Sequence, residues 1–159
     1  MSDKPLTHTQ KLHIIALQLP MVSVRRIPSK LEKALKALKT GDATEFTRQI
    51  DVAAELHNTA RQVHGNANSV GDYCDQASRL ARIVDYVLTN FKHVVFAVGT
   101  TLGRSKNAES IELSDGYAKP YKIDDSQSVE AVRALIAGLV ELIRSEIKAA
   151  KQFENAAAE

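Results

Sequence analysis

The chain has one cysteine, no tryptophan, four prolines and seven glycines among its 159 residues, and only 5% of it is aromatic. A single cysteine, Cys74, excludes an internal disulfide framework and a cysteine-based zinc cage, and it fits a reducing compartment. So few prolines and glycines leave few obligatory turns, as in a protein of long helices. No apolar run approaches the roughly 18 residues that a membrane-spanning helix needs. The opening MSDKPLTHTQ lacks the apolar core of a secretory signal. Phosphate-binding glycine loops, dinucleotide fingerprints, nucleophile elbows and zinc-ligand spacings are missing too. The stretch GTTLGRSKN holds glycines and cations, but it follows a helical pattern and lacks the Gly-Lys-Ser/Thr ending of a P-loop. These absences predict a soluble, cytoplasmic protein with no cofactor and no metal, and they leave no catalytic residue to name.

Hydrophobic residues make up 44% of the chain and charged residues 25%, an ordinary globular balance. The length suits one helical domain over 1–159, able to bury roughly 70% of the surface of its unfolded chain. Charge is unevenly placed. Residues 1–41 carry eight Lys and Arg against two acids, an excess of six positive charges, while 42–100 carry five against seven. The N-terminal 1–41 thus reads as a basic helical pair, and such asymmetry marks either a polyanion contact or a solvated face.

Capping signals and apolar periodicity predict five helices. Thr7 and Gln10 have capping-box spacing, so a first helix spans His8 to Leu19 and stops at Pro20. Its apolar residues Leu12, Ile14, Ile15, Leu17 and Leu19 point in nearly all directions, which predicts burial on more than one side. Pro20 to Pro28 reads as a connector, too long for the turn of a helix-turn-helix. Ser29 and Glu32 form a second capping box for a helix closed by Gly41, and Asp42 with Glu45 opens a third that ends near His64. GNANSVG follows as a turn. The fourth helix, about Asp72 to Val98, gathers its apolar residues within roughly 160°, wide enough to touch two neighbours. Residues 100–127 read as a long loop, with a short hairpin around Asp115-Gly116. A last helix runs from Ser126–Ser128 to about Phe153, with Gly138 as a place of close helix approach and ENAAAE frayed beyond it. The expected fold is an all-α antiparallel bundle of four to five helices, with apolar arcs wide enough for a homo-oligomer.

Three groups of residues carry possible function. Arg25, Arg26, Lys30, Lys33 and Lys36, with Arg104 and Lys106 on the long loop, are suited to nucleic-acid phosphates, since guanidiniums fork onto them and lysines supply point charges. The lysines at three-residue steps wrap round their helix, and no aromatic lies among them for a base to stack on. On the polar side of the fourth helix, Arg79, Arg82, Tyr86, Asn90 and His93 fall within roughly 80°, a mixture of aromatic and guanidinium that suits a protein interface. Asp42-x-x-Glu45 and Asp72-x-x-Asp75 resemble in outline the paired acidic motifs of all-α nucleoside triphosphate pyrophosphatases. The resemblance would imply four carboxylates holding magnesium against a triphosphate. His57 and His64, two turns apart on the third helix, read as hydrogen-bonded, half-buried residues. Glu146 stands alone among the apolar positions of the last helix, at the edge of the core. The leading reading is a non-enzymatic nucleic-acid-binding accessory protein. The alternative is a protein–protein interaction module, and the metal-dependent pyrophosphatase is a remote third.

Overall fold

The computed structural model describes residues 5–103 and 120–158. Among the described residues there are five α-helices and no strand: α1 His8–Val24, α2 Ile27–Thr40, α3 Ala43–Asn68, α4 Asp75–Thr101 and α5 Ser126–Glu154, followed by a 3-10 turn over Asn155–Ala158. Only Arg25 and Arg26 separate α1 from α2, and both keep right-handed helical backbone angles. The two helices touch each other little and both lie along α3, so they act as one bent rod. With α3, α4 and α5 this gives four rods around one core, an all-α antiparallel bundle. Two contacts show the direction of α5: Arg79 near the start of α4 lies over the ring of Phe153 near the end of α5, and Arg144 of α5 pairs with Glu32 of α2.

Local chemistry sets the helix ends. The Thr7 hydroxyl accepts from the Gln10 amide at 3.1 Å, and the Gln10 side chain accepts from the Thr7 amide at 2.9 Å, so the capping box satisfies two orphan donors of α1. Asp42 and Asp125 cap α3 and α5 by accepting from the Glu45 and Ser128 amides at 3.0 and 3.2 Å. Gly41 closes α2 at φ +76°, a left-handed angle that disfavours other residues. There the Asp42 amide reaches back to the Ala37 carbonyl at 2.9 Å, which satisfies one of the last carbonyls of α2.

The core runs the length of the bundle. Ile14, Leu17 and Met21 of α1, Phe46 and Ile50 of α3, Leu80, Val84 and Phe91 of α4, and Ile136 and Ile143 of α5 are all buried in one cluster. Each such side chain adds roughly 1.5–3 kcal/mol relative to exposure. At the end of the bundle where α3 starts, Tyr121 is buried with its ring 5.4 Å from that of Phe46, edge to face. Its amide donates to the Thr47 hydroxyl at 2.9 Å, and that hydroxyl donates in turn to the Ala43 carbonyl at 2.7 Å. The chain leading into α5 is thereby fastened to the base of α3.

Several expectations need correction. Pro20 does not end α1: it is buried inside the helix, which continues to Val24. Packing of the ring outweighs the lost hydrogen bond, so the nine-residue connector shrinks to two residues. The Ser29–Glu32 box is not used. Instead α2 begins at Ile27 with Pro28 in its first turn, where no amide hydrogen is needed, and Glu32 turns outward to Arg144. GNANSVG is helical as far as Asn68, and the turn falls at 69–74, with Gly71 at φ +77°. Cys74 caps α4, and the helix then runs on past Val98 to Thr101. Asn155–Ala158 is not frayed: it forms the 3-10 turn, which packs on α1 with Ala156 and Ala157 partly buried. Gly138 faces open space, and a Cβ built there meets nothing within 4 Å, so it marks no close approach. Nor is α1 buried on several sides: Leu12, Ile15, Leu19 and Val22 are 45% to 59% exposed. The hairpin expected at Asp115-Gly116 lies outside the described residues.

Candidate protein-docking site

The outer side of α4 presents Arg79, Arg82, Tyr86 and His93 to solvent, with Asn90 half-buried beside them. The apolar arc of α4 fixes this orientation: burying Leu80, Val84, Val87 and Phe91 turns the opposite side of the helix outward. Within the group the roles divide. Arg79 is engaged at the surface of the bundle, pairing with Asp75 at 3.1 Å and lying over the Phe153 ring 5.8 Å away. Asn90 donates to the Tyr86 carbonyl at 2.8 Å, which ties it to its own helix. Arg82 and Tyr86 remain outward. Together with Ile83 of α4 and Glu146 of α5 they line a shallow, open depression of about 340 Å³.

That depression explains Glu146. The residue is half-buried at the rim of the core and shares the depression with Arg82 and Tyr86 of α4. An aromatic wall, an apolar floor and one charge of each sign can hold a side chain of a partner protein and fix its orientation. Phe96 of α4 is also exposed, at 53%, ten residues beyond Tyr86 and roughly 80° round the helix from it. Sequence patterning hides Phe96, because it lies in the apolar run VVFAV and its neighbours Val95 and Val98 point inward or sideways. Only the exact rotation of α4 in the bundle exposes it.

The basic residues are placed differently from a single patch. One terminal nitrogen of Arg25 donates to both oxygens of Glu154, at 2.6 and 2.7 Å, clasping the α1–α2 junction to the end of α5, and Glu154 is itself only 11% exposed. Gln18 adds to the same clasp by donating to the Glu154 carbonyl at 2.7 Å. Lys30 is half-buried, whereas Arg26, Lys33, Lys36 and Lys39 are exposed. These four form no salt bridge among the described residues, though Lys33 lies close enough to Glu45 to act on its charge. Arg104 and Lys106 lie outside the described residues.

The four acids singled out by spacing do not converge. Asp42 and Glu45 sit at one end of α3, Asp72 and Asp75 beyond the other, with 26 residues of helix, roughly 40 Å, between the pairs. Each has structural work. Asp42 is an N-cap. Glu45 pairs with Arg48 at 2.6 Å and accepts from Gln49, and the Arg48 and Gln49 hydrogen bonds hold its carboxyl below the usual range. Asp72 accepts from the Thr9 hydroxyl and Asp75 pairs with Arg79. Among the described residues no cluster of three or more His, Cys, Asp or Glu is placed to hold a metal ion.

Three buried histidines join the rods. Nδ1 of His13 on α1 accepts from the Asp72 amide at 3.2 Å, and its ring lies 4.3 Å from that of Tyr73. Nε2 of His57 donates to the Leu88 carbonyl at 3.0 Å, with the imidazole stacked on Phe91 at 4.7 Å. Nε2 of His64 donates to the Asp85 carboxylate at 2.9 Å. Burial lowers the pKa of both His13 and His57, so both imidazoles are neutral near pH 7. Their hydrogen bonds are those of packing residues, as the sequence suggests for His57 and His64, although both are buried rather than half-buried.

The class that fold and surface define is an all-α four-rod bundle with an aromatic and guanidinium-bearing outer face on α4, and no described helix is long and apolar enough to cross a membrane. Compared with protein-family models, curated proteins and solved structures, the chain matches none.

Proposed function

We propose that the protein is a non-enzymatic protein-interaction module that docks a partner on the outer face of α4. The observation that supports this reading is the exposed Tyr86 beside Arg82, Ile83 and Glu146, which together line a shallow depression of about 340 Å³ between α4 and α5. Tyr86, 51% exposed, is the anchor of the face, because a rigid aromatic loses little rotamer freedom when a partner covers it. Arg82 and Glu146 set register by pairing with charges of opposite sign on the partner. The test is photo-crosslinking from position 86 to identify the partner, then titration of the purified partner against the wild type. Tyr86→Ala should weaken binding by roughly 30-fold or more, as hot-spot truncations do, with Arg133→Ala on the outer face of α5 as an unaffected control. Equal affinity of the wild type and a Tyr86→Ala/Arg82→Ala variant would remove this face from the function.

A second reading, nucleic-acid binding, rests on Arg26, Lys33, Lys36 and Lys39, exposed and without a salt bridge among the described residues. Fluorescence anisotropy of labelled oligonucleotides over a salt series tests it. Binding with a steep negative salt slope, lost when these four residues are changed to Gln, supports the phosphate reading. Absence of binding at low salt rejects it. Arg25→Ala should leave any such binding intact, since its guanidinium is engaged by Glu154.

A further inference from the structure

Protonation acts differently on the three buried histidines. Nε2 of His57 donates to the Leu88 carbonyl, and Nε2 of His64 donates to the Asp85 carboxylate. An imidazolium keeps both bonds, because each of its nitrogens is a donor. His13 is the exception. Its Nδ1 accepts from the Asp72 backbone amide at 3.2 Å, and a backbone amide can only donate. The bond lasts only while Nδ1 holds a lone pair. A proton there sets N–H against N–H.

This bond belongs to a set of contacts that ties the start of α1 to residues 69–74, between α3 and α4. One turn before His13, the Thr9 hydroxyl donates to the Asp72 carboxylate. The His13 ring lies 4.3 Å from that of Tyr73, whose hydroxyl donates to the side chain of Asn68 on α3 at 2.7 Å. We propose that His13 is a proton-operated latch, holding residues 69–74 against α1 while Nδ1 is free and releasing them when it is protonated. Release is local. The Tyr73–Asn68 bond and the Cys74 cap of α4 do not involve the imidazole, so α3 and α4 keep their ends.

Burial and charge set the sign. His13 is fully buried, and its Nε2, which carries the hydrogen in the closed latch, has no hydrogen-bond partner among the described residues. Closing leaves that donor unmet, whereas opening gives both nitrogens to water. Desolvation is the largest cause of the lowered pKa of His13, and the Asp72 carboxylate opposes it. On α1 itself, Thr9 and Leu17 lie one turn either side, and Lys11 is about 200° round the helix. From α3, His64 lies 3.3 Å behind Asn68, and α4 supplies its partner Asp85. Asp75, in the first turn of α4, pairs with Arg79. The latch is therefore closed above the ordinary imidazole value of 6.5 and loosens as pH falls below it.

The test is nuclear magnetic resonance of the full chain from pH 7.5 to 5.0, following the His13 ring and hydrogen exchange of the Asp72 amide. The ring should titrate below 6.5. Exchange of the amide, corrected for its intrinsic pH dependence, should quicken by up to about tenfold per pH unit below that value. Two variants, each checked for folding by circular dichroism, separate the groups. His13→Asn offers a side-chain oxygen that accepts at every pH, so corrected exchange should stay flat. Asp72→Asn keeps an acceptor for Thr9 and removes the opposing charge, so the His13 ring should titrate lower than in the wild type. A ring that titrates at or above 6.5 overturns the proposal, as does flat corrected exchange in the wild type. Acid-quickened exchange in folded His13→Asn, equal to that of the wild type, overturns the assignment to His13. Should His13→Asn not fold, the wild-type titration and Asp72→Asn decide the matter. None of these readouts involves the outer face of α4.

Discussion

His57 stacks on Phe91 and donates to the Leu88 carbonyl, and no carboxylate of the described residues takes part in that arrangement. Desolvation is the largest cause of its lowered pKa, and the nearby Arg61 and Lys92 act in the same direction. His13 is lowered too, with Asp72 opposing the shift in part. The sign of the pH dependence follows. Above the ordinary imidazole value of 6.5 both the folded and unfolded forms are neutral and the full stability is present. As pH falls below that value the unfolded chain takes up protons that the folded state refuses, so stability drops until the lowered folded pKa values are reached. The slope in that window is at most about 1.4 kcal/mol per pH unit for each histidine. His57→Phe keeps a ring against Phe91 and removes one titrating group. Its thermal midpoint should fall less between pH 7.5 and 5.5 than that of the wild type, and equal slopes would show that His57 is not a source of the acid sensitivity.

Among the helices, the differences from simple sequence rules share a cause. Pro20 removes one hydrogen bond from α1 and still lies inside it, because the bundle buries its ring together with Leu17, Met21 and Val24. Gly65 and Gly138 are the reverse case. Both are exposed inside long helices, and a Cβ at either meets nothing within 4 Å. Neither sits in the left-handed region, so nothing in the packing requires glycine. Gly65→Ala and Gly138→Ala should each stabilise the fold by roughly 0.8–1 kcal/mol, and they should add, being on different helices. Chemical denaturation at constant m-value measures this, and a destabilised Gly138→Ala variant would mean that α5 has a partner on that side.

Taken whole, the bundle depends on a contact far apart in sequence. Tyr121 enters the core beside Phe46, and its amide hydrogen is satisfied by the Thr47 hydroxyl, which binds it across 74 positions of sequence. Thr47→Val keeps the shape and removes the hydroxyl that accepts from the Tyr121 amide. The expected cost is about 1–3 kcal/mol. Hydrogen exchange should show the loss as faster exchange of the Tyr121 amide, and unchanged exchange with unchanged stability would exclude Thr47 as its acceptor. At the opposite end of α5, the Arg25–Glu154 clasp and the 3-10 turn hold the terminus of that helix against α1. The bundle is thus closed at both ends of its last rod.

Much of this was legible in the residues themselves. Thr7, Asp42 and Gly41 announce helix ends through local hydrogen bonding and backbone freedom, and the arc from Leu80 to Phe91 announces which side of α4 is buried. Tyr86, Arg82 and Glu146 each stand out by type and position on their own helices, but no spacing rule says that two residues of α4 and one of α5 share a depression. Phe96 stayed hidden within an apolar run, and Arg25 read as a free cation until its partner 129 positions away was in place. What the sequence by itself determined is local: the caps at Thr7 and Asp42, the buried arc of α4 and the helical class. Tertiary structure alone decided whether Pro20 is tolerated, which cations are engaged and which face of the nearly uncharged α1 is left uncovered. The physical reason is that capping and periodicity act within a turn or two of one helix, whereas burial and ion pairing depend on which rods lie side by side.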